Sequence, residues 1–115
     1  MTEEGLAITN EDYLDYISDH LTERELLEQL AEEAAELAQA SMKACRALED
    51  SNNPAGCDQN EAWTRIDEEM VDVFNAYCAL YGSFSFGAEV LLDSHGSPKW
   101  ERWYQRVKER QEARR

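Results

Sequence analysis

The chain has 115 residues, 43% of them hydrophobic, and a formal net charge of -14 at pH 7. This length suits a single domain over residues 1–115, with enough apolar content for a core. The acidity argues against sequence-independent nucleic-acid binding, which depends on Lys and Arg neutralising phosphates, and no apolar run approaches the length of a membrane span.

Helical signals dominate the first half of the chain. The residue pattern at 10–19 predicts a short helix. Thr22 and Glu25 form a capping-box pattern that predicts the start of a long helix, and apolar spacing continues it to about Asp50. The apolar stripe expected to face the core is Leu26, Leu27, Leu30, Ala34, Leu37, Cys45 and Leu48.

The second long helix follows a predicted loop over residues 51–60, which is rich in Asn, Pro and Gly. Asp58 or Asn60 is expected to cap its start, and Gly82 stands where a C-terminal cap glycine belongs. Its expected core stripe is Trp63, Ile66, Met70, Val73, Phe74, Tyr77, Leu80 and Tyr81.

The last third predicts two further helices. Residues 84–93 suit a short helix, and Ser97 with Pro98 form an N-cap and first-position pair for a terminal helix over about 98–113. No alternating strand pattern occurs. The sequence therefore predicts an all-α fold, an antiparallel helical bundle of four to five helices with its core at about 22–82.

The cysteine spacing and the distribution of basic residues lead to two further expectations. The three cysteines show no CxxC or Cys/His ligand spacing, and the acidic N-terminus lacks an apolar signal segment, which favours a reduced, cytoplasmic protein. Seven of the eleven basic residues lie between Lys99 and Arg115. We expect this basic terminal helix to dock on the acidic body or to contact an anion bound there.

An eight-residue template occurs twice, as LAEEAAEL at 30–37 and as IDEEMVDV at 66–73. At about 100° per helical residue, two acids of each copy lie at the same offset from their apolar stripe, at its border. The intervening loop is short enough to make the two helices antiparallel neighbours, so the four acids are expected to converge. They are Glu33, Glu36, Glu69 and Asp72.

Four converging carboxylates need a counterion, because like charges raise one another's pKa and destabilise the fold. Mg²⁺ takes oxygen ligands and is often shared with substrate phosphates. His20 and His95 lie outside both templates, and neither follows a Glu at a spacing of three, which argues against zinc and ferritin-like di-iron sites. The pattern predicts a Mg²⁺ site, with Mn²⁺ as a substitute; two solvated amphipathic faces are the alternative.

The pair ExxE and ExxD, within EEAAELAQA and DEEMVDV, resembles the MazG-like all-α nucleoside triphosphate pyrophosphohydrolases. That superfamily also holds dimeric dUTPases, dCTP pyrophosphatases and phosphoribosyl-ATP pyrophosphatases. The resemblance covers roughly residues 22–82. It implies Mg²⁺-dependent cleavage of an NTP or dNTP between the α and β phosphates, giving the monophosphate and pyrophosphate, with the four acids as metal ligands.

The resemblance implies further roles around the metal. Glu32 resembles the acid that activates the attacking water in some relatives, although it lies off the seam of the four acids by about 100°. Cations are expected to hold the outer phosphates. The candidates are Lys43, Arg46, Lys99 and Arg102.

The base pocket and the assembly are predicted more coarsely. Asn75, Tyr77 and Trp63 are candidates for base binding, because aromatic rings stack on any base and Asn can read a base edge. Core packing is the alternative for the two aromatic residues. We expect a homodimer or homotetramer to complete the bundle. The rival functions are a non-catalytic acidic helical interaction or regulatory module, and a phosphoribosyl-ATP pyrophosphatase-like enzyme.

Overall fold

A computed structural model gives the architecture of the protein. The described residues are 7–48, 58–84, 91 and 95–114. Within these ranges the chain is helical and contains no strand, which confirms the all-α prediction. No helix in the described ranges combines the length and the apolarity needed to cross a membrane.

The chain divides into two compact units, Met1–Ser83 and Phe84–Arg115. The single domain expected over residues 1–115 stays a prediction. The first unit contains helices α1 (Asn10–His20), α2 (Glu23–Arg46) and α3 (Gln59–Tyr81), and the second contains α4 (Ser97–Ala113).

The first two helices each begin at a capping box. The Thr9 hydroxyl accepts from the Asp12 N–H at 3.1 Å, and the Asp12 carboxylate accepts from the Thr9 N–H at 2.9 Å. Thr22 and Glu25 repeat this reciprocal pair at 3.1 and 3.0 Å. The predicted starts are therefore confirmed, and each pair satisfies two backbone groups at or just before the start of its helix.

The end of α2 differs from the prediction. The helix stops at Arg46, whereas apolar spacing extended it to about Asp50, which lies outside the described residues. The Leu48 N–H bonds to the Cys45 carbonyl at 3.3 Å, so the backbone has changed to the tighter three-residue spacing. Leu48 continues the apolar spacing of the sequence, although the α-helix has already ended at Arg46.

Both predicted ends of α3 are confirmed. The Asp58 side chain accepts from the Glu61 N–H at 2.8 Å. Gly82 follows the last helical residue in the left-handed conformation, with φ 71°, which favours glycine. Residues 51–57 of the expected loop lie outside the described residues.

The start of α4 corrects one assignment. Gly96 already has helical backbone angles, φ -70° and ψ -50°, so Ser97 lies inside the helix and is not its capping residue. Pro98 still lies in the first turn. A backbone N–H there has no helical acceptor, so the absence of an N–H in proline costs no hydrogen bond. The helix predicted over 84–93 lies outside the described residues, apart from its positions 84 and 91.

Helices α2 and α3 run antiparallel. Leu26, near the start of α2, shares an apolar cluster with Cys78, near the end of α3. Ala40, late in α2, lines one cavity with Ala62, early in α3. The two template copies, at the middle of each helix, therefore lie opposite each other.

Helix α1 closes one end of this pair. Leu14 joins the buried cluster of Leu26, Cys78 and Ala79, and the Ser18 hydroxyl donates a hydrogen bond to the Ala79 carbonyl. Cys78 is completely buried in this cluster. The main apolar core of the first unit therefore lies where the start of α2, the end of α3 and α1 meet.

The predicted core stripes are only partly correct. Small residues are buried along α2 and α3, and the first and third of the following line one cavity between the helices: Ala40, Ala44, Ala62 and Ala76. Ala62 and Ala76 lie within about 20° of Glu69 around α3, whereas the exposed Met70, Trp63 and Tyr81 lie about 100–120° away. The predicted stripe residues that are exposed instead of buried are Leu27, Ala34, Cys45, Leu48, Trp63, Met70 and Tyr81. Glu33 and Glu69 therefore occupy the middle of the helix contact, and Glu36 and Asp72 lie towards its open side.

Candidate metal centre

The four template acids converge between α2 and α3. Each offers a carboxylate oxygen, and these oxygens all lie within 4.8 Å of one another. Glu69 is buried at 3% exposure, two of the acids are half-buried, and Asp72 is exposed. The cluster consists of Glu33, Glu36, Glu69 and Asp72. It is thus closed on its inner side and open to solvent on its outer side.

The two central carboxylates are supported in the same way. The Gln29 amide donates to Oε1 of Glu33 at 2.7 Å, and Nη2 of Arg65 donates to Oε1 of Glu69 at 2.9 Å. In both cases the donor stands four residues earlier on the same helix. The Oε2 atoms of Glu33 and Glu69 are buried without a hydrogen-bond partner among the described residues. Each carboxylate thus has one oxygen fixed and one unpaired.

These unpaired oxygens make a cation chemically suitable for the site. A buried polar atom without a partner is unfavourable, and a buried negative charge is more so. The donor set consists of carboxylate oxygens alone, which hard divalent cations such as Mg²⁺ and Mn²⁺ prefer. The residues present therefore fit the predicted metal, although clusters of acids also occur without one.

The neighbouring acids act on the protonation of Glu36. The negative charge of Glu33 raises the pKa of Glu36, with desolvation next and the charge of Glu69 after it. Glu32 adds a smaller effect in the same direction. The cluster therefore favours whatever neutralises it, either a proton or a cation.

Arg65 is the residue that the sequence analysis missed. Its guanidinium binds the buried Glu69 and lies 3.7 Å from the exposed Glu68, while its own side chain is 61% exposed. The sequence did contain a signal, because Arg65 and Gln29 occupy the same position relative to the two template copies. The template therefore includes a hydrogen-bond donor placed four residues before its second Glu.

A cavity of about 480 Å³ adjoins the acid cluster along α2 and α3. Two buried alanines, Ala40 and Ala62, contribute to its lining, and their small side chains leave room between the helices. A cation from each helix also lines it, together with two acids of the cluster. These charged residues are Lys43, Arg65, Glu36 and Glu69, and a third acid from outside the cluster, Glu61, lines it as well.

The other predicted residues for phosphate and water lie in different places. Lys43 lines the cavity, and its phosphate-binding role stays a prediction. Glu32 is exposed on α2 outside the four-acid cluster, and Arg46 is half-buried at the last residue of that helix. Lys99 and Arg102 lie exposed on α4, in the second unit. Their predicted roles stay predictions.

The three base-binding candidates do not share one face of α3. Relative to Glu69, Trp63 and Tyr77 lie at about 120° and 80°, and Asn75 lies at about -120°. Trp63 is 58% exposed, and the ring of Tyr77 lies 4.7 Å from that of Tyr81. One base cannot contact all three from a single copy of this helix.

Comparison of the chain with protein-family models, with curated proteins and with solved structures finds no match. The site's own geometry and chemistry are therefore the basis for assigning a function.

Proposed function

We propose that this protein is a Mg²⁺-dependent nucleoside triphosphate pyrophosphohydrolase of the MazG-like type. It would cleave an NTP or dNTP between the α and β phosphates to give the monophosphate and pyrophosphate. One observation carries the proposal: four carboxylates lie within 4.8 Å of one another, and two of them have a buried, unpaired oxygen. Such a group suits a divalent cation better than it suits solvent.

The cavity beside the cluster supports a phosphate-bearing substrate. Carboxylates alone would repel phosphates, but this cavity is also lined by Lys43 from α2. An ammonium group is a common phosphate ligand in proteins. Acids for a metal and a cation for phosphate, within one cavity, are the combination that a metal-chelated triphosphate needs.

Each acid has a proposed role in the reaction. Glu33, Glu36, Glu69 and Asp72 would hold Mg²⁺, which when bound supplies charge neutralisation and a lowered pKa for attacking water. Glu32, exposed next to Glu33, would accept the proton of that water as general base. Lys43 would hold the outer phosphates and stabilise the pyrophosphate as it leaves.

A second copy of the chain is the proposed partner. Large apolar residues of α2 and α3 remain exposed, among them Leu27, Trp63, Met70 and Tyr81. Since the helices are antiparallel and the stripes share one angular offset, both stripes lie on one side of the pair, away from Glu36 and Asp72. A homodimer through this side would bury them and leave the acids open to substrate.

The decisive experiment measures pyrophosphate release from each NTP and dNTP with Mg²⁺, and then with Mn²⁺. We expect activity that the double variant Glu36→Gln, Asp72→Asn loses by at least about a hundredfold, because two metal ligands are removed. Glu28→Gln with Asp67→Asn is the matched control, with the same substitutions on the same two helices outside the cluster. Activity on phosphoribosyl-ATP alone would instead select the biosynthetic variant of the same chemistry.

A flat result across the whole panel with both metals would rule the enzyme out. It would favour the second candidate, a non-catalytic helical interaction module. The exposed aromatic residues of α4, Trp100, Trp103 and Tyr104, are the observation that favours this candidate. A partner-binding surface would then depend on those rings and not on the four acids.

A further inference from the structure

The two halves of the acid cluster differ in burial and in the charge of the supporting donor, since Glu33 is half-buried and Glu69 is buried. Gln29 and Arg65 hold Glu33 and Glu69 through the same four-residue spacing, at 2.7 and 2.9 Å. The neutral amide is sufficient to fix its carboxylate. Holding an oxygen of Glu69 in place thus needs only a donor; the guanidinium also compensates a buried charge, and the exposed part of its positive charge is left for a further role.

The position of Arg65 supplies one. Its side chain is 61% exposed and lines the cavity together with Lys43, which lies on the opposite helix. Arg65 therefore reaches both the buried metal-ligand candidate Glu69 and the open space where an anion would lie. The cavity lining therefore contains one cation from each helix alongside Glu36, Glu61 and Glu69.

Arg65 also retains hydrogen-bonding capacity. A guanidinium carries five N–H donors in a planar fork that matches phosphate oxygens. Among the described residues, Arg65 has one contact within hydrogen-bond distance, the 2.9 Å contact with Glu69. Its 3.7 Å separation from Glu68 is longer than a hydrogen bond. Arg65 can keep Glu69 fixed with one nitrogen while it donates to an anion with others.

We infer that Arg65 is a phosphate ligand, and that the cavity between Arg65 and Lys43 holds the polyphosphate chain of a metal-chelated substrate. This inference rests on the proposed function and specifies where its substrate lies. The chain would extend from the four acids towards the Arg65 and Lys43 end of the cavity. Because Glu36 and Glu69 line the same cavity, a polyphosphate without a metal would be repelled.

The test measures binding by isothermal titration calorimetry with two probes, Mn²⁺ alone and inorganic tripolyphosphate in saturating Mn²⁺. Arg65→Gln reproduces the Gln29 arrangement, so it retains a donor for Glu69 and loses only the charge. Arg65→Lys keeps the charge. Arg24→Gln is the matched control, because Arg24 makes an exposed 3.0 Å pair with Glu28 at the same spacing, outside the cluster.

We expect Arg65→Gln to weaken tripolyphosphate binding by at least about tenfold, since a charge-assisted hydrogen bond is lost. Its Mn²⁺ affinity should be unchanged or higher, because a positive charge beside the cation is gone. Arg65→Lys should retain most of the tripolyphosphate affinity, and Arg24→Gln should match the wild type for both probes.

Three results would overturn the inference. Tripolyphosphate binding by Arg65→Gln within twofold of wild type would remove Arg65 from the phosphate site. An equal loss for Mn²⁺ alone would make Arg65 a positioning residue for Glu69. Absence of tripolyphosphate binding by the wild type in Mn²⁺ would exclude the site itself. Arg65-dependent binding without nucleotide hydrolysis would instead support the site and contradict the proposed enzyme.

Discussion

Arg65 and Glu69 form an ion pair with very unequal exposure: the guanidinium is 61% exposed, whereas the carboxylate side chain, 2.9 Å away, is only 4% exposed. The Arg65 guanidinium compensates the negative charge at one carboxylate oxygen of Glu69. The other oxygen is buried without a hydrogen-bond partner among the described residues. Burying a charge that is only half compensated opposes folding. Metal binding at this cluster should therefore be coupled to stability.

We predict that Mg²⁺ or Mn²⁺ raises the melting temperature of the wild type. A ligand that binds only the folded state stabilises it by about 2.7 kcal/mol at a concentration a hundred times its Kd. The double variant Glu33→Gln, Glu69→Gln should show no such increase, because both half-paired carboxylates are gone. Differential scanning fluorimetry across a metal titration measures the effect.

Glu68→Gln is the control for this metal response, since Glu68 neighbours Glu69 on α3 and lies outside the cluster. It should respond to the metal as the wild type does. An equal rise in the wild type and in the Glu33→Gln, Glu69→Gln variant would show that these acids are not the ligands.

The capping residues and the repeated template made much of this arrangement predictable. The Thr22 and Glu25 box, the Asp58 cap and the Gly82 cap depend on local chemistry, so the sequence alone identified them. The template likewise identified the four acids that meet. Local signals of this kind do not depend on which neighbour covers a helix.

The face of each helix that meets the other was not predictable in the same way. A periodic stripe of large residues marks a face that avoids water, but not the element that covers it. Here Ala62 and Ala76 are buried on α3, whereas Trp63 and Met70 of the same helix stay exposed. The role of Arg65 was missed because ion pairs within a helix are common and weak at exposed positions.

The contribution of Glu36 to stability without divalent cations should fall as the pH rises above its ordinary pKa, 4.5. The charge of Glu33, the largest cause, raises the pKa of Glu36 in the folded state. A raised folded-state pKa contributes stability below the ordinary value, and this contribution is lost as the pH passes through the raised one. Glu36→Gln should therefore be more stable than wild type at pH 7, by an amount that shrinks towards pH 4.5.

Urea unfolding of the wild type and Glu36→Gln at a series of pH values, in the presence of a chelator, measures this difference. In saturating Mg²⁺ the order should reverse at pH 7, because the variant has lost a ligand. A difference that stayed constant over the whole pH range would contradict the electrostatic account of Glu36.

Gly82→Ala should destabilise the first unit. Gly82 has φ 71°, and the left-handed conformation costs a residue with a Cβ about 1–2 kcal/mol. The added Cβ would also meet the Ser18 hydroxyl at 3.3 Å, close to its bond with the Ala79 carbonyl. Urea unfolding measures the loss, and Gly82→Asn should cost less because Asn tolerates this conformation better. If both variants lose the same free energy of unfolding, the loss comes from the contact with Ser18 and not from the backbone conformation.

The exposed apolar side of α2 and α3 should carry the proposed homodimer. Trp63, at 58% exposure, is the largest residue on it, and a buried interface Trp typically contributes about 2 kcal/mol or more. Trp63→Glu should therefore raise the dimer dissociation constant by roughly 30-fold or more, as measured by analytical ultracentrifugation. Tyr13→Glu, which places the same charge at a 56% exposed aromatic position on α1, should leave it unchanged. A monomeric wild type, or equal dissociation in both variants, would remove this side of the pair as the interface.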